Sequence, residues 1–317
     1  ISSCSRTRWR HISGNATPVV SRPYAGAADL LLMQAAVADA YAITSLRVGD
    51  VAWLSRYHSH RDLALHVRLW EDVAGQVIGW TYLRERGGFN LFVAPGQAGD
   101  GLLDSMLAEI DAQAQAGIAA GDPPVSLYTY GVDVSRSPED RVLAAALERH
   151  GFSEQPSTGG VLMRSLDDLP APVLPPGYRL AWADTQKQIL GRVEAQRAAF
   201  APSDFTLDRY QRVRGRWPYR PELDRIILTD DGTVAAFCTA WLDEQNAAGL
   251  LEPVGTHPAH QRRGLARAVC LDAMHALRAA GARTAQVGFS TPAALATYAS
   301  LGFTWIAADT VYRRDPH

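Results

Sequence analysis

The chain has 317 residues, enough for two domains that each bury a core. With 47% hydrophobic residues, 20% charged residues and a net charge of −2, it lacks the broad basic field that draws a protein to nucleic acid or anionic lipid. No apolar run approaches the roughly 18–20 residues that span a bilayer, so neither nucleic acid nor membrane is expected as a partner. Almost all of the basic residues are Arg, Lys187 being the one Lys; with the abundant Ala, this skew suggests a GC-rich, bacterial genome rather than a function. Cys4, Cys238 and Cys270 are scattered, with no C-x-x-C spacing. That pattern predicts no disulfide framework, no metal site and a reducing, cytoplasmic setting.

Residues 1–18 are Ser/Arg-rich and aperiodic and contain no apolar h-region, which predicts a disordered leader rather than a signal peptide. A first unit is expected over 19–169. In it Val73-Ala74-Gly75-Gln76-Val77-Ile78-Gly79-Trp80-Thr81 reads as hairpin turn plus strand, and Phe92-Val93-Ala94-Pro95 leads into a Gly-containing turn and a helix. The unit closes at Leu147-Glu148-Arg149-His150-Gly151-Phe152, where a helix stops at a C′ glycine and a strand begins. Four prolines between Leu166 and Gly177 oppose both helix and ladder and mark a linker, with its Pro-rich stretch at 170–177.

The second unit, 178–317, reads as strand 178–182, helix 184–200 and a helical stretch at 208–217. Strands 225–229, 234–242 and 249–256 come next, then helix 264–280, strand 284–289, helix 292–300 and a last strand 303–312. Arg267, Ala268, Leu271, Met274, His275 and Leu277 show helical spacing with the apolar members on one face. Strands grouped centrally between helices indicate α/β units with mixed, mostly antiparallel sheets. The two halves are alike. Tyr298-Ala299-Ser300-Leu301-Gly302-Phe303 repeats the closing helix–Gly–Phe of the first half, and Thr256-His257-Pro258 repeats Val93-Ala94-Pro95, so the chain is expected to be duplicated at a spacing of about 150 residues.

The most specific stretch is Val254-Gly255-Thr256-His257-Pro258-Ala259-His260-Gln261-Arg262-Arg263-Gly264-Leu265-Ala266-Arg267. A strand end, a Gln-Arg-Arg-Gly turn and a helix start would gather backbone N–H groups at one spot beside the positive helix end, a pyrophosphate-type site. Arg262, Arg263 and Arg267 add forked donors, and Gly264 permits close approach of backbone to a ligand. Thr291 and Pro292 suit the cap and first turn of the helix that carries Tyr298.

Val254…Pro258…Gln261-Arg262-Arg263-Gly264-Leu265-Ala266, followed about 30 residues later by Ala294…Tyr298…Gly302-Phe303, resembles the acyl-CoA-binding signature of the GNAT acetyltransferases. The resemblance covers 178–317 well and 19–169 weakly, and the layout is similar to that of tandem GNAT proteins. It implies two tandem GNAT-like modules, each with a splayed central strand. It further implies acetyl-CoA as co-substrate, a small-molecule amine as acceptor, direct acyl transfer in the C-terminal module, and a monomer or homodimer. By the same resemblance, Gln261, Arg262, Arg263, Gly264, Leu265, Ala266 and Arg267 would hold the pyrophosphate, and the main chain of Val254 and Thr256 would pair with the pantetheine arm. Tyr298 would protonate the departing thiolate. Glu252, in an apolar strand end just before Pro253 breaks the ladder, reads either as the base, with a carboxyl raised by its surroundings, or as a group that only holds the acceptor's ammonium or pairs with an Arg; His257 is the runner-up for the base.

The resemblance also implies that the first module is degenerate. Ala98-Gly99-Asp100-Gly101 stands opposite Gln261–Gly264 without either Arg, and Leu147 stands opposite Tyr298. Where the family often carries Asn before the Tyr helix, this chain has Ser290 and Thr291. Arg209, Arg212, Arg214, Arg216, Trp217, Tyr219 and Arg220 crowd the segment that in such folds often covers the acceptor; they read either as a cationic, aromatic cover suited to an acidic or phosphorylated small acceptor or as a solvated basic helix with two core aromatics. Two further readings stay open on sequence: an acyl-CoA-binding regulatory protein, and a protein or peptide N-acetyltransferase.

Overall fold

The computed structural model describes residues 19–58, 60–156 and 159–316, so the leader expected at 1–18 lies outside the described residues. The first half runs β1 (Val20–Pro23), α1 (Ala27–Asp39), α2 (Val48–Leu54), α3 (His60–His66), β2 (Val67–Glu71), β3 (Val77–Leu83), β4 (Phe89–Val93), α4 (Asp100–Ala119), β5 (Leu127–Val132), α5 (Pro138–Arg149), β6 (Ser153–Gln155) and β7 (Gly160–Ser165). The second half follows as β8 (Tyr178–Trp182), α6 (Gln186–Ala199), α7 (Leu207–Arg214), β9 (Asp224–Thr229), β10 (Val234–Asp243), β11 (Ala248–Thr256), α8 (Leu265–Ala279), β12 (Thr284–Phe289), α9 (Pro292–Ser300), β13 (Thr304–Ala308) and β14 (Thr310–Arg314).

Shared local devices carry the likeness of the halves. Ser137 caps α5 by accepting from Asp140 N at 3.1 Å, with Pro138 in the first turn; Thr291 caps α9 by accepting from Ala294 N at 3.2 Å, with Pro292 in the same place. Both helices end at a left-handed glycine, Gly151 (φ 79°) and Gly302 (φ 82°). The following Phe then donates back, Phe152 N to Leu147 O at 3.0 Å and Phe303 N to Tyr298 O at 3.1 Å.

The large sheet has the order β13-β7-β12-β11-β10-β9-β8. Strand β10, next to the central β11, is buried along its whole length, and the apolar face of α8 (Ala268, Val269, Leu271, Met274, Leu277) covers one side. β11 and β12 pair in parallel only over Ala248–Leu250 and Thr284–Gln286; beyond that β11 continues to Thr256 beside β10 alone. This is the splay. Pro253 does not end the β10–β11 ladder. The register shifts between Cys238 (opposite Val254) and Ala240 (opposite Leu251), so Glu252 and Pro253 share a bulge facing Thr239, which takes up the missing N–H.

The last strand is not one strand. Residues 303–312 divide at Asp309 into β13, which pairs β7, and β14, which leaves for a three-stranded sheet between β5 and β6. In return β7, from the first half, lies between β12 and β13, pairing Thr284 with Ser165 through Phe289 with Gly160. The remaining sheet, β1-β2-β3-β4, meets the β5-β14-β6 sheet through a bridge between Gly88 and Tyr128. Each half therefore receives a strand from the other.

A second seam is apolar. Ala52 and Trp53 of α2 pack with Val193, Phe205, Tyr210, Val213 and Trp241 of the second half. The approach is close enough that a Cβ on Gly49 would lie 2.4 Å from Trp241 Cγ. No helix among the described residues is long and apolar enough to cross a membrane. Gly49→Ala forces α2 off Trp241, and urea denaturation should show a loss of about 1–3 kcal/mol for this overpacking.

Candidate active site

The Gln261–Gly264 turn has left-handed backbone at Arg262 (φ 64°) and at Gly264 (φ 77°), which curls successive N–H groups toward one point. Gly264 is the N-cap of α8, and no side chain among the described residues caps this end. The first-turn amides of α8 are thus available to an anion, with the helix dipole behind them. No neighbour lies within 4 Å of a Cβ built on Gly264, so its φ accounts for the glycine rather than crowding by protein.

A cleft of about 450 Å³ opens over this turn. It is lined by Val254 to Thr256 of β11, by Gln261, Arg262 and Gly264 to Arg267, and by Ala293, Ala294, Thr297, Tyr298 and Ser300 of α9. Of the residues predicted for the phosphate end, Arg263 alone is turned aside, donating to the Tyr178 hydroxyl at 2.9 Å. Arg262 is exposed at the rim. Arg267 donates to Ser300 Oγ at 3.1 Å and to the Ser300 carbonyl, tying α8 to the end of α9 across the cleft floor. Gln261 Nε2 reaches Thr256 O at 3.4 Å, closing the turn on the strand end.

Tyr298 is buried on α9, edge-on to Phe303, with its ring facing this cleft. Burial, and then the neighbouring Cys270, Cys238 and Glu252, push its phenol well above the ordinary tyrosine range, so it keeps its proton. Cys238 and Cys270 are free thiols in the core. Glu252 is half-buried in the β11 bulge, and Trp241 Nε1 holds its backbone, donating to Glu252 O at 2.6 Å. His257 is otherwise engaged: its Nδ1 accepts from Ala259 N at 3.2 Å and caps the short turn at Pro258–His260. Among the described residues no group of three His, Cys, Asp or Glu is placed to hold a metal ion.

On its far side Glu252 faces the first half. Asp50 of α2 lies beside the Glu252 carboxyl group, and Tyr130 of β5 and Asp309 between β13 and β14 stand within reach of its charge. Burial raises the pKa of each of the three. Tyr130 is 38% exposed and also lines the cleft of the first half. These residues escape sequence reasoning, because nothing in Arg47-Val48-Gly49-Asp50 or Tyr128-Thr129-Tyr130 forms a motif. The arginine-rich segment does not form the expected cationic cover. Arg209 pairs with Glu85, Arg212 with Asp208 and Arg220 with Glu244, while Arg214 donates to Ala183 O and the Tyr219 hydroxyl.

The equivalent cleft of the first half, between β4 and β5, amounts to only about 60 Å³. Gly99 there has φ −115°, unlike the left-handed Gly264, and Leu147 fills the place of Tyr298 with its side chain fully buried.

Residues 190–303 match the acetyltransferase (GNAT) family. No curated protein matches the chain in sequence. Among solved structures, a GCN5-related N-acetyltransferase from Sphaerobacter thermophilus is similar with a TM-score of 0.65 at 17% identity, covering 94% of this chain and 95% of that one. A tandem GNAT protein from the clavulanic acid biosynthesis pathway gives 0.62 at 16% identity, covering 94% and 98%. The N-myristoyltransferase of Saccharomyces cerevisiae gives 0.60 at 13% identity, covering 98% and 81%. These likenesses show the fold, a tandem pair of GNAT modules. The chain carries a GNAT acetyltransferase domain and is by class an acyltransferase; enzymes of that family use acetyl-CoA and act on amine acceptors.

Because Gly264 is left-handed with open space around it, Gly264→Ala should cost about 1–2 kcal/mol of backbone strain without displacing a neighbour. Chemical denaturation of the variant, with far-UV circular dichroism unchanged, checks this.

Proposed function

We propose that the C-terminal module transfers an acetyl group from acetyl-CoA directly to the amine of a small acceptor. The observation that carries this reading is one cleft in which the amide-lined turn at Arg262–Gly264 and the protonated phenol of Tyr298 face the free edge of β11. The CoA pyrophosphate would lie against the first-turn amides of α8, with Arg262 at the rim and Arg267 holding the floor. The pantetheine arm would add to the Val254–Thr256 edge, which the splay leaves without a partner.

In the reaction the acceptor nitrogen attacks the thioester carbonyl, a C–N bond forms and the C–S bond breaks. Glu252 first takes the proton of the acceptor ammonium; as the C–S bond breaks the thiolate takes the proton of Tyr298, and the second proton shed by the attacking nitrogen restores the phenol through water. We divide the chain accordingly into a degenerate module over 19–169, a linker at 170–177 and a catalytic module over 178–317, with β7 and β14 exchanged between them. The acceptor would enter from the seam, where Glu252 faces Asp50 and Tyr130.

The test is thiol release from acetyl-CoA against a panel of small primary amines. Tyr298→Phe and Glu252→Gln should each lower kcat by about 10²- to 10⁴-fold, the range for a lost general acid or base. Full activity in both variants would sink these roles. Arg262→Ala should raise KM for acetyl-CoA and leave kcat unchanged, since it removes a contact made equally in ground and transition states.

A further inference from the structure

We propose that Asp50, carried by the first module, is a positioning residue for the transfer: it donates a hydrogen bond to the Glu252 carboxylate, the pair holding a single proton between them. The inference rests on the reading of Glu252 as proton acceptor and adds to it a group from the other half of the chain.

The geometry is built, not incidental. Arg47 N donates to Asp50 Oδ2 at 2.6 Å, which fixes the carboxyl in the first turn of α2 beside Glu252. The helix is pressed against Trp241 at Gly49, where no Cβ fits. The same indole donates to the backbone oxygen of Glu252 at 2.6 Å, so one side chain registers both members of the pair. Arg47 is further anchored across the seam by Nε on Gln286 Oε1 at 2.7 Å.

Two carboxyl groups in hydrogen-bond contact cannot both stay ionised. Burial first, and the charge of Glu252 second, push the Asp50 carboxyl well above the usual range, so Asp50 is the member that keeps the proton. The groups facing the pair are Arg47 from the same turn, Tyr298 from α9, Tyr130 from β5 and Asp309 between β13 and β14. In this state Asp50 offers one accepting oxygen, used by Arg47 N, and one O–H, used by Glu252. Glu252 is thereby aimed, and its second oxygen is left for the ammonium of the acceptor. When the ammonium proton moves to Glu252 the pair holds two protons, and one passes to water when the amide product leaves. At alkaline pH the shared proton is lost, the two like charges repel, and Glu252 loses its orientation.

The hydrogen-bonding pattern of protonated Asp is that of Asn, which makes Asp50→Asn the deciding variant. It should keep kcat within a few-fold of wild type at neutral pH and extend the alkaline limb of the kcat/KM profile upward. Asp50→Ala should lower kcat by about tenfold, the loss of one hydrogen bond to a charged group, with KM for acetyl-CoA unchanged. An Asn variant as impaired as the Ala variant, an Ala variant with wild-type kcat, or an unmoved alkaline limb would each overturn the proposal. Carbon-13 NMR of Asp-labelled protein supplies a readout independent of turnover. Asp50, Asp140 and Asp309 should titrate above the usual range in wild type, and one of these titrations should vanish in Asp50→Asn and fall toward that range in Glu252→Gln. Absence of that titration overturns the pair whether or not thiol is released. Its presence in a protein that acetylates no amine removes the acyl-transfer reading instead.

Discussion

The exchange of two strands is the constraint on which the rest of this molecule depends. β7 supplies the partner that β12 and β13 both need, and β14 does the same for β5 and β6. A sheet lacking its inserted strand would expose two rows of unpaired N–H and C=O groups, a cost neither half can meet alone. The exchanged strands also carry core: Leu162 of β7 is 2% exposed and Tyr312 of β14 is 1% exposed. The two modules are therefore held in one relative placement, and the groups along their seam can be positioned to atomic tolerance.

The seam is where the first half meets the residues of the second. Its own cleft is small, the N-cap Gly99 of α4 has extended backbone where the N-cap Gly264 of α8 is left-handed, and Leu147 stands where the second half has Tyr298. What it offers is a rigid face. Helix α2 and strand β5 bring Asp50 and Tyr130 near Glu252 of β11, while Tyr298 shares a cleft with the Gln261–Gly264 turn.

A buried polar network fixes the β10–β11 bulge that carries Glu252. Arg192 and Asp224 have no exposed side-chain surface. Asp224 accepts from Thr239 Oγ1 at 2.9 Å and from the Tyr219 hydroxyl at 3.0 Å, as well as from Tyr210 and Arg192. Arg192 also donates to Gln196 at 2.7 Å and to Thr239 at 3.1 Å. A buried ion pair is tolerable only when its remaining donors and acceptors are met in this way, and the demand pins Thr239, the residue facing the bulge.

Much of this is local enough to be written in the chain. Helix caps at Thr291, left-handed stops at Gly151 and Gly302, the periodicity of α8 and the Gln261–Gly264 turn each depend on neighbours within a few residues, so residue type alone predicts them. The same holds for the placing of Val254 and Tyr298 on one cleft, because strand, turn and two helices follow each other in sequence. Which sheet β14 joins was not legible, since an alternating apolar strand is satisfied by any free edge and only competition among edges decides. The partners of Arg263 and of the Arg209–Arg220 segment were not legible for a related reason: a guanidinium takes the nearest acceptor, and Tyr178, Glu85 and Glu244 come near only on folding. The Asp50–Glu252 contact is the extreme case. Two carboxyl groups 202 positions apart carry no pattern, and only the packing of Gly49 on Trp241 makes them neighbours.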